Sequence, residues 1–201
     1  MNLFEELYQR YPQLNDCASE IAKAFDILLA CYRGGGKVLT CGNGGSAADA
    51  EHIVGELLKK FRKHRAVDAA VAAKLPPELT AKLEGALPAV SLVSMSGILT
   101  AFANDVAWET AFAQQVLGLG RPGDVLVALS TSGNSANCVD AALVARAKGM
   151  KVVAMTGAGG GRLGELADAA VKVPETETFK IQELHLPVYH ALCAAVEEAL
   201  F

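Results

Sequence analysis

Two pairs of polar residues in this sequence have the types and spacing needed to move protons. His52 and Glu56 are four residues apart in a stretch that predicts a helix over 46–61, so they share one helix face. Gln182 and His190 are eight residues apart in a helix predicted from about 180 to 200, which leaves only about 80° between them. The two pairs can act together in a reaction only if they lie close to each other in space. Spacing along the sequence does not show whether they do.

A glycine-rich segment, CGNGGS at 41–46, joins a predicted strand to the helix that carries His52 and Glu56. Glycine lets the backbone approach a ligand, and a helix N-terminus offers unpaired amides to an anion. The segment is neither G-x-G-x-x-G nor a Walker loop, which needs a lysine after the glycine. Alone, it fits a tight turn as well as part of a phosphate site. Its central residues are Asn43, Gly44, Gly45 and Ser46.

A second loop, STSGNS at 130–135, is rich in hydroxyl groups and also precedes a predicted helix, at roughly 135–148. Hydroxyl donors and helix-terminal amides together suit a phosphate without any arginine. The alternative is simple helix capping by Ser132 or Asn134, but capping needs only one such residue. The sequence therefore favours a phosphate-binding loop. Its hydroxyl residues are Ser130, Thr131, Ser132 and Ser135.

Short β-prone runs alternate with helical stretches along most of the chain. The predicted strands are 37–41, 88–93, 124–130, 151–157 and 169–174, and residues 2–33 read as helical with a break near Pro12. This alternation predicts an α/β fold, a doubly wound five-stranded parallel sheet covered on both faces by helices. Ligands of such sheets bind beyond the carboxyl ends of the strands, where both polar loops lie.

The 201 residues fit one domain, which we expect to span 1–201 with N-terminal helices over 1–35. Residues 64–87 are alanine-rich around Pro76 and Pro77, and predict two short helices in a surface insertion. The net charge is −4, and the one basic cluster, Lys59 to Arg65, fits a solvated helix end better than a nucleic-acid site. We therefore expect no nucleic-acid partner.

Cysteine usage and the apolar pattern indicate a compartment. Five cysteines without a C-x-x-C pair favour reduced thiols in a cytoplasmic protein. Glu5 and Glu6 lie where a signal peptide would need an apolar run, and no apolar stretch reaches spanning length. We expect a cytoplasmic protein without a membrane partner.

Four segments together resemble the sedoheptulose-7-phosphate isomerases, or phosphoheptose isomerases, of the sugar-isomerase (SIS) domain proteins. They are CGNGGSAADAEH, FANDVAWETAFAQQV, LSTSGNSANCVDAALVARAKGMKVVAMTG and IQELHLPVYH. The resemblance covers most of the chain in the same order, and residues 64–87 are its main departure. It implies interconversion of sedoheptulose 7-phosphate and D-glycero-D-manno-heptose 7-phosphate, the first step towards nucleotide-activated heptose for lipopolysaccharide. It also implies a homotetramer with sites near subunit boundaries.

The resemblance also assigns residues. It implies Glu56 and His190 as catalytic residues and, as in some members, one zinc ion per subunit. The zinc ligands would be His52, Glu56, Gln182 and His190. The residues expected to bind substrate or phosphate are Asn43, Gly44, Gly45, Ser46, Glu56, Asn104, Asp105, Ser130, Thr131, Ser132, Ser135 and Gln182.

The chemistry of these residue types agrees with that assignment. A ketose–aldose interconversion passes through an enediol and needs a base, an acid and a group that stabilises charge on oxygen. Glu56 can take the carbon-bound proton, and His190 can move protons at the oxygens because histidine titrates near neutrality. Zinc could polarise the carbonyl, and two histidines, a carboxylate and an amide oxygen form a plausible tetrahedral set.

Three alternatives stay open at this point. A near relative of the family is a DnaA-binding regulator of replication initiation, in which the catalytic glutamate and the last-helix histidine are replaced. This sequence has both, as Glu56 and His190. A sugar-phosphate-sensing regulator lacks support because no DNA-binding segment is evident, and an isomerase for another phosphosugar is the third possibility.

Overall fold

A five-stranded sheet forms the centre of the molecule in the computed structural model, which describes residues 3–201. The strands are β1 (Val38–Cys41), β2 (Ala89–Ser91), β3 (Val125–Leu129), β4 (Lys151–Thr156) and β5 (Ala169–Lys172). All four strand pairings are parallel. The predicted α/β class and all five predicted strands are confirmed.

Helices connect the strands and cover both faces of the sheet. Within residues 3–201 they are α1 (Leu3–Arg10), α2 (Ala18–Arg33), α3 (Gly45–Leu58), α4 (Ala69–Ala72), α5 (Pro77–Thr80), α6 (Ser96–Asp105), α7 (Ala111–Leu119), α8 (Ala136–Ala147), α9 (Gly161–Leu166) and α10 (Thr178–Leu200). A 3₁₀ turn over Pro12–Cys17 separates α1 from α2, as the proline predicts. None of the helices in this part of the chain is both long and apolar enough to cross a membrane.

The strand order, β2-β1-β3-β4-β5, decides where a ligand can bind. The chain leaves β1 towards β2 on one side, then returns to add β3 on the other side of β1. In doubly wound sheets this reversal opens a crevice at the carboxyl ends of the two strands. Cys41 pairs with Ala128 there, so the glycine loop after β1 and the hydroxyl loop after β3 are neighbours.

Alternate residues of the central strands pack into two separate hydrophobic cores, one on each face of the sheet. Val125, Val127 and Leu129 pack on the face that α2, α3 and α10 cover. Leu126 and Ala128 pack on the opposite face, against α7 and α8. Every residue of β3 is buried, which explains why the strands read as continuous apolar runs in the sequence.

The stretch after α3 differs from the prediction in two respects. α3 ends at Leu58, three residues before the predicted end. Arg65, expected in a solvated basic cluster, is fully buried, so that interpretation is wrong for this residue. The two short helices predicted around Pro76 and Pro77 are present as α4 and α5. The single-domain organisation with residues 64–87 as an insertion stays a prediction.

Candidate active site

The glycine loop after β1 is tied to the helix after β3. The side-chain amides of Asn43 and Asn137 form two reciprocal hydrogen bonds, of 2.9 and 2.8 Å. Asn137 lies in the first turn of α8 and is buried, so this pair clamps the two polar loops together. Asn137 is not among the residues predicted from the sequence, because spacing within α8 does not show which distant residue its side chain meets.

Glycine is required where this loop enters α3. Gly44 has a φ of 57°, a value that side chains disfavour. A Cβ on Gly45 would lie only 2.7 Å from Nε2 of Gln182, so the Gln182 side chain rests directly on the start of α3. Gln182 is thereby placed at the carboxyl edge of the sheet, beside the glycine loop.

The hydroxyl loop is organised by bonds within itself. Ser130 Oγ and Ser135 Oγ are 2.9 Å apart and share a hydrogen bond. Ser132 Oγ accepts from the amide of Asn134 at 3.1 Å. Ser135 occupies the N-cap position of α8, yet its side chain makes no capping hydrogen bond. The first-turn amides of α8 are therefore not covered by a side-chain cap, which favours anion binding over the capping alternative.

A backbone contact holds the hydroxyl loop against the loop after β4. Gly133 has a φ of 69°, and a Cβ there would lie 1.9 Å from the carbonyl oxygen of Gly160. The amide of Gly157 donates to the carbonyl of Thr131 at 3.0 Å. The two loops therefore pack backbone against backbone, with no room for a side chain at Gly133.

A chain of hydrogen bonds surrounds the predicted base. His52 Nε2 lies 3.1 Å from Glu56 Oε1, and Lys59 Nζ lies 2.9 Å from Glu56 Oε2. On the other side of the ring, Tyr189 Oη lies 3.0 Å from His52 Nδ1 and donates to Asp49 Oδ1 at 3.1 Å. Sequence spacing predicted the His52–Glu56 contact, but not Asp49 or Tyr189.

The neighbours of Glu56 favour the ionised form of its side chain. Burial raises the pKa of Glu56, but hydrogen bonds and charge from Lys59 and His52 outweigh it, and the pKa is lowered. Glu56 is thus held as a carboxylate.

His190 lies next to His52 and Glu56 and forms one group with them. Its ring packs edge-on against His52, with centroids 4.9 Å apart, and lies tilted against the ring of Phe61, with centroids 5.3 Å apart. Burial first, and then the neighbouring His52, lower the pKa of His190, so its ring is kept neutral. His190 Nε2 is buried and has no hydrogen-bond partner, which leaves it available to a ligand or a proton.

The predicted residues thus fall into three groups. Gln182 and the two polar loops lie at the carboxyl edge of the sheet, whereas His52, Glu56 and His190 lie further along α3 and α10. Eleven residues separate Gly45 from Glu56, which corresponds to about 16 Å of helix rise. Asn104 and Asp105 form a third location, exposed at the end of α6 and bonded to each other at 2.8 Å.

Comparisons with known proteins give one consistent result. The family model of the SIS domain matches residues 4–86 and 80–157. The phosphoheptose isomerase of Rhodospirillum rubrum is 46% identical over 188 residues, which cover 94% of this chain and 90% of that protein. The solved phosphoheptose isomerase of Neisseria gonorrhoeae is 34% identical, with a TM-score of 0.78, over 97% of this chain and 95% of the other. The solved phosphoheptose isomerase of Francisella tularensis is 33% identical, with a TM-score of 0.79, over 97% of this chain and 94% of the other.

Proposed function

This chain belongs to the phosphoheptose isomerases of the SIS-domain family, and we propose that it interconverts sedoheptulose 7-phosphate and D-glycero-D-manno-heptose 7-phosphate. The observation that carries the proposal is the contact of His190 with the His52–Glu56 pair in a chain that also has two anion-type loops at the sheet crevice. The relatives are named as isomerases, which disfavours the DnaA-binding alternative. The reaction would be the first step towards nucleotide-activated heptose.

Glu56 is the base in this proposal. Its carboxylate removes the proton from the carbon next to the carbonyl, and the enediol takes up a proton at the neighbouring carbon. The lowered pKa of Glu56 supports an ionised carboxylate at neutral pH. His190, kept neutral and with a free Nε2, exchanges protons with the sugar oxygens.

The hydroxyl loop and the glycine loop are proposed to bind the phosphate. The serine hydroxyls are the main donors, and the start of α8 adds its partial positive charge. The Asn43–Asn137 pair joins the two loops. Neutral donors at a helix terminus hold a phosphate dianion without a buried cation. Thr131 and Ser132 add further hydroxyls to the same loop.

The separation between the loops and Glu56 supports a site completed by another subunit. About 16 Å of α3 lies between them, so we propose a homotetramer in which neighbouring copies bring the two groups to one substrate. Large apolar side chains on the surface of the single chain agree with this. Val106 is 65% exposed, Phe179 56% and Leu117 54%. We also propose a cytoplasmic location, where its phosphosugar substrate would occur and where its buried cysteines stay reduced.

Zinc is the proposed cofactor, with His52, Glu56, Gln182 and His190 as ligands. Gln182 rests on the start of α3, away from the other three, so its amide oxygen must move or come from a neighbouring copy. Two imidazoles, a carboxylate and an amide oxygen suit this ion. His190 Nε2, which has no hydrogen-bond partner, can bind zinc or exchange protons with the substrate, but not both at once. Among residues 3–201, no three His, Cys, Asp or Glu side chains are already arranged around a metal position. Both ring nitrogens of His52 are bonded to Tyr189 and Glu56, so His52 must give up one of these partners. Bound zinc would polarise the substrate carbonyl.

The substrate assignment is tested with purified protein and a panel of five-, six- and seven-carbon ketose phosphates. We expect aldose formation from the seven-carbon substrate, with weaker turnover of the shorter ones. Preference for a shorter sugar would identify a SIS isomerase of another phosphosugar. No turnover of any substrate, with and without added zinc, would favour the non-catalytic alternative.

Metal analysis after purification without chelators tests the cofactor. We expect about one zinc per subunit in the parent protein, because four donors hold this ion tightly. His52→Ala should lose it, whereas His64→Ala, which changes an exposed histidine outside the site, should retain it. An active parent protein with as little zinc as His52→Ala would show that the reaction needs no metal.

A further inference from the structure

A buried ion pair lies directly behind the proposed catalytic groups. Arg65 Nε donates to Glu197 Oε1 at 2.7 Å, and the two side chains are 0% and 1% exposed. The ring of Phe201 covers the guanidinium, at 5.4 Å from its carbon. The pair joins positions 132 residues apart in the sequence, and neither residue is among those expected to contact substrate.

Arg65 holds the end of the helix that carries Glu56. Its two terminal nitrogens donate to the carbonyls of Glu56 at 3.0 Å and Leu57 at 2.6 Å. The last carbonyls of a helix have no partner within the helix, and a positive charge at that end is favourable. Arg65 therefore fixes the backbone of Glu56 itself, and α3 ends at Leu58.

Glu197 holds the segment that packs on His190. Its two carboxylate oxygens accept from the amides of Phe61, Arg62 and Lys63, at 2.8, 2.7 and 3.0 Å. Burial raises the pKa of Glu197, but these amides and Arg65 outweigh it, and the pKa is lowered. The ring of Phe61 lies 5.3 Å from the His190 ring. The Glu197 carboxylate thus positions the segment whose Phe61 ring packs on His190.

We propose that Arg65 and Glu197 are positioning residues for the isomerisation, which hold Glu56 and the Phe61–His190 contact in register. This inference rests on the proposed function of Glu56 and His190. Buried ion pairs contribute little net stability, and apolar residues of similar volume often replace them without loss. This pair, however, makes five hydrogen bonds to backbone groups near two proposed catalytic residues. Positioning explains these bonds better than stability does, because a small displacement of a reacting group lowers the rate of reaction strongly.

The test compares Arg65→Lys and Glu197→Gln with a matched control, Asp124→Asn. Asp124 is also a buried carboxylate, which pairs with Lys37 and accepts from the amides of Lys37 and Arg121, but it lies at the amino ends of β1 and β3. We measure Tm for each variant, then kcat and KM with the seven-carbon ketose phosphate well below the lowest Tm. Arg65→Lys keeps the charge but loses the fork that binds two carbonyls.

We expect all three variants to lower Tm, and only Arg65→Lys and Glu197→Gln to lower kcat, by at least about tenfold, with little change in KM. If Arg65→Lys and Glu197→Gln both lower Tm but leave kcat unchanged, the pair has only a structural role and the inference is overturned. The proposed function would still stand, because the parent protein is active. An inactive parent protein would overturn both. If the buried variants do not fold, Phe61→Leu tests the same contact on a half-buried residue. Normal kcat in that variant would also contradict the inference.

Discussion

Replacing Glu56 by Gln is expected to lower kcat by about 10²–10⁴-fold, the usual contribution of general-base catalysis. Glutamine keeps the shape of the side chain and one accepting oxygen, but it cannot accept a proton from carbon. Glu56 is held as a carboxylate by Lys59 at 2.9 Å and by His52 at 3.1 Å, so the parent enzyme has this base available at neutral pH. The measurement is kcat and KM with the seven-carbon ketose phosphate.

The matched control for this variant is Glu51→Gln. Glu51 lies on the same helix, is exposed, and accepts a hydrogen bond from Ser94 at 2.7 Å rather than from the His52 group. We expect it to turn over normally, and both variants should keep the Tm and the oligomer size of the parent. Turnover of Glu56→Gln within about threefold of the parent, at matched Tm and size, would remove Glu56 as the base.

Removing the hydroxyls of Ser130 and Ser135 together should weaken substrate binding by at least about tenfold, because each hydrogen bond to a charged group contributes roughly 1.5–3 kcal/mol. The two oxygens lie 2.9 Å apart, so either can replace the other as a donor, and single variants would underestimate the effect. The backbone around them should persist, because Gly133 still packs on Gly160. Calorimetric titration of the double alanine variant with the ketose phosphate gives the affinity directly.

A hydroxyl outside the site provides the reference for this experiment. Thr80 lies in α5 and its side chain bonds the carbonyl of Pro76 at 3.2 Å, so Thr80→Ala should bind substrate like the parent. Both proteins carry Glu56→Gln as the background, which slows turnover during the titration by about 10²–10⁴-fold. Equal affinity in the double alanine variant and the parent would mean that the phosphate binds at another place on the chain.

The sequence by itself determined the architecture and the types of the reacting groups. Strands buried on both faces must be apolar throughout, so runs such as 124–130 were recognisable without any contact information. Gly44 and the serines of 130–135 could also be recognised from the sequence. A positive φ in a turn and hydroxyl groups at the start of a helix are set by residues close together in the chain. The His52–Glu56 contact follows from helical spacing in the same way.

Only the tertiary structure decided which distant residues meet. Tyr189 reaches His52 across 137 positions, and Asn137 pairs with Asn43 across 94. Arg65 looked like part of a solvated basic cluster, yet it is buried against Glu197. Periodicity gives the face of a helix on which a side chain lies, but not the element that packs there. That choice depends on the strand order and on the free energy of burying each charge with a partner.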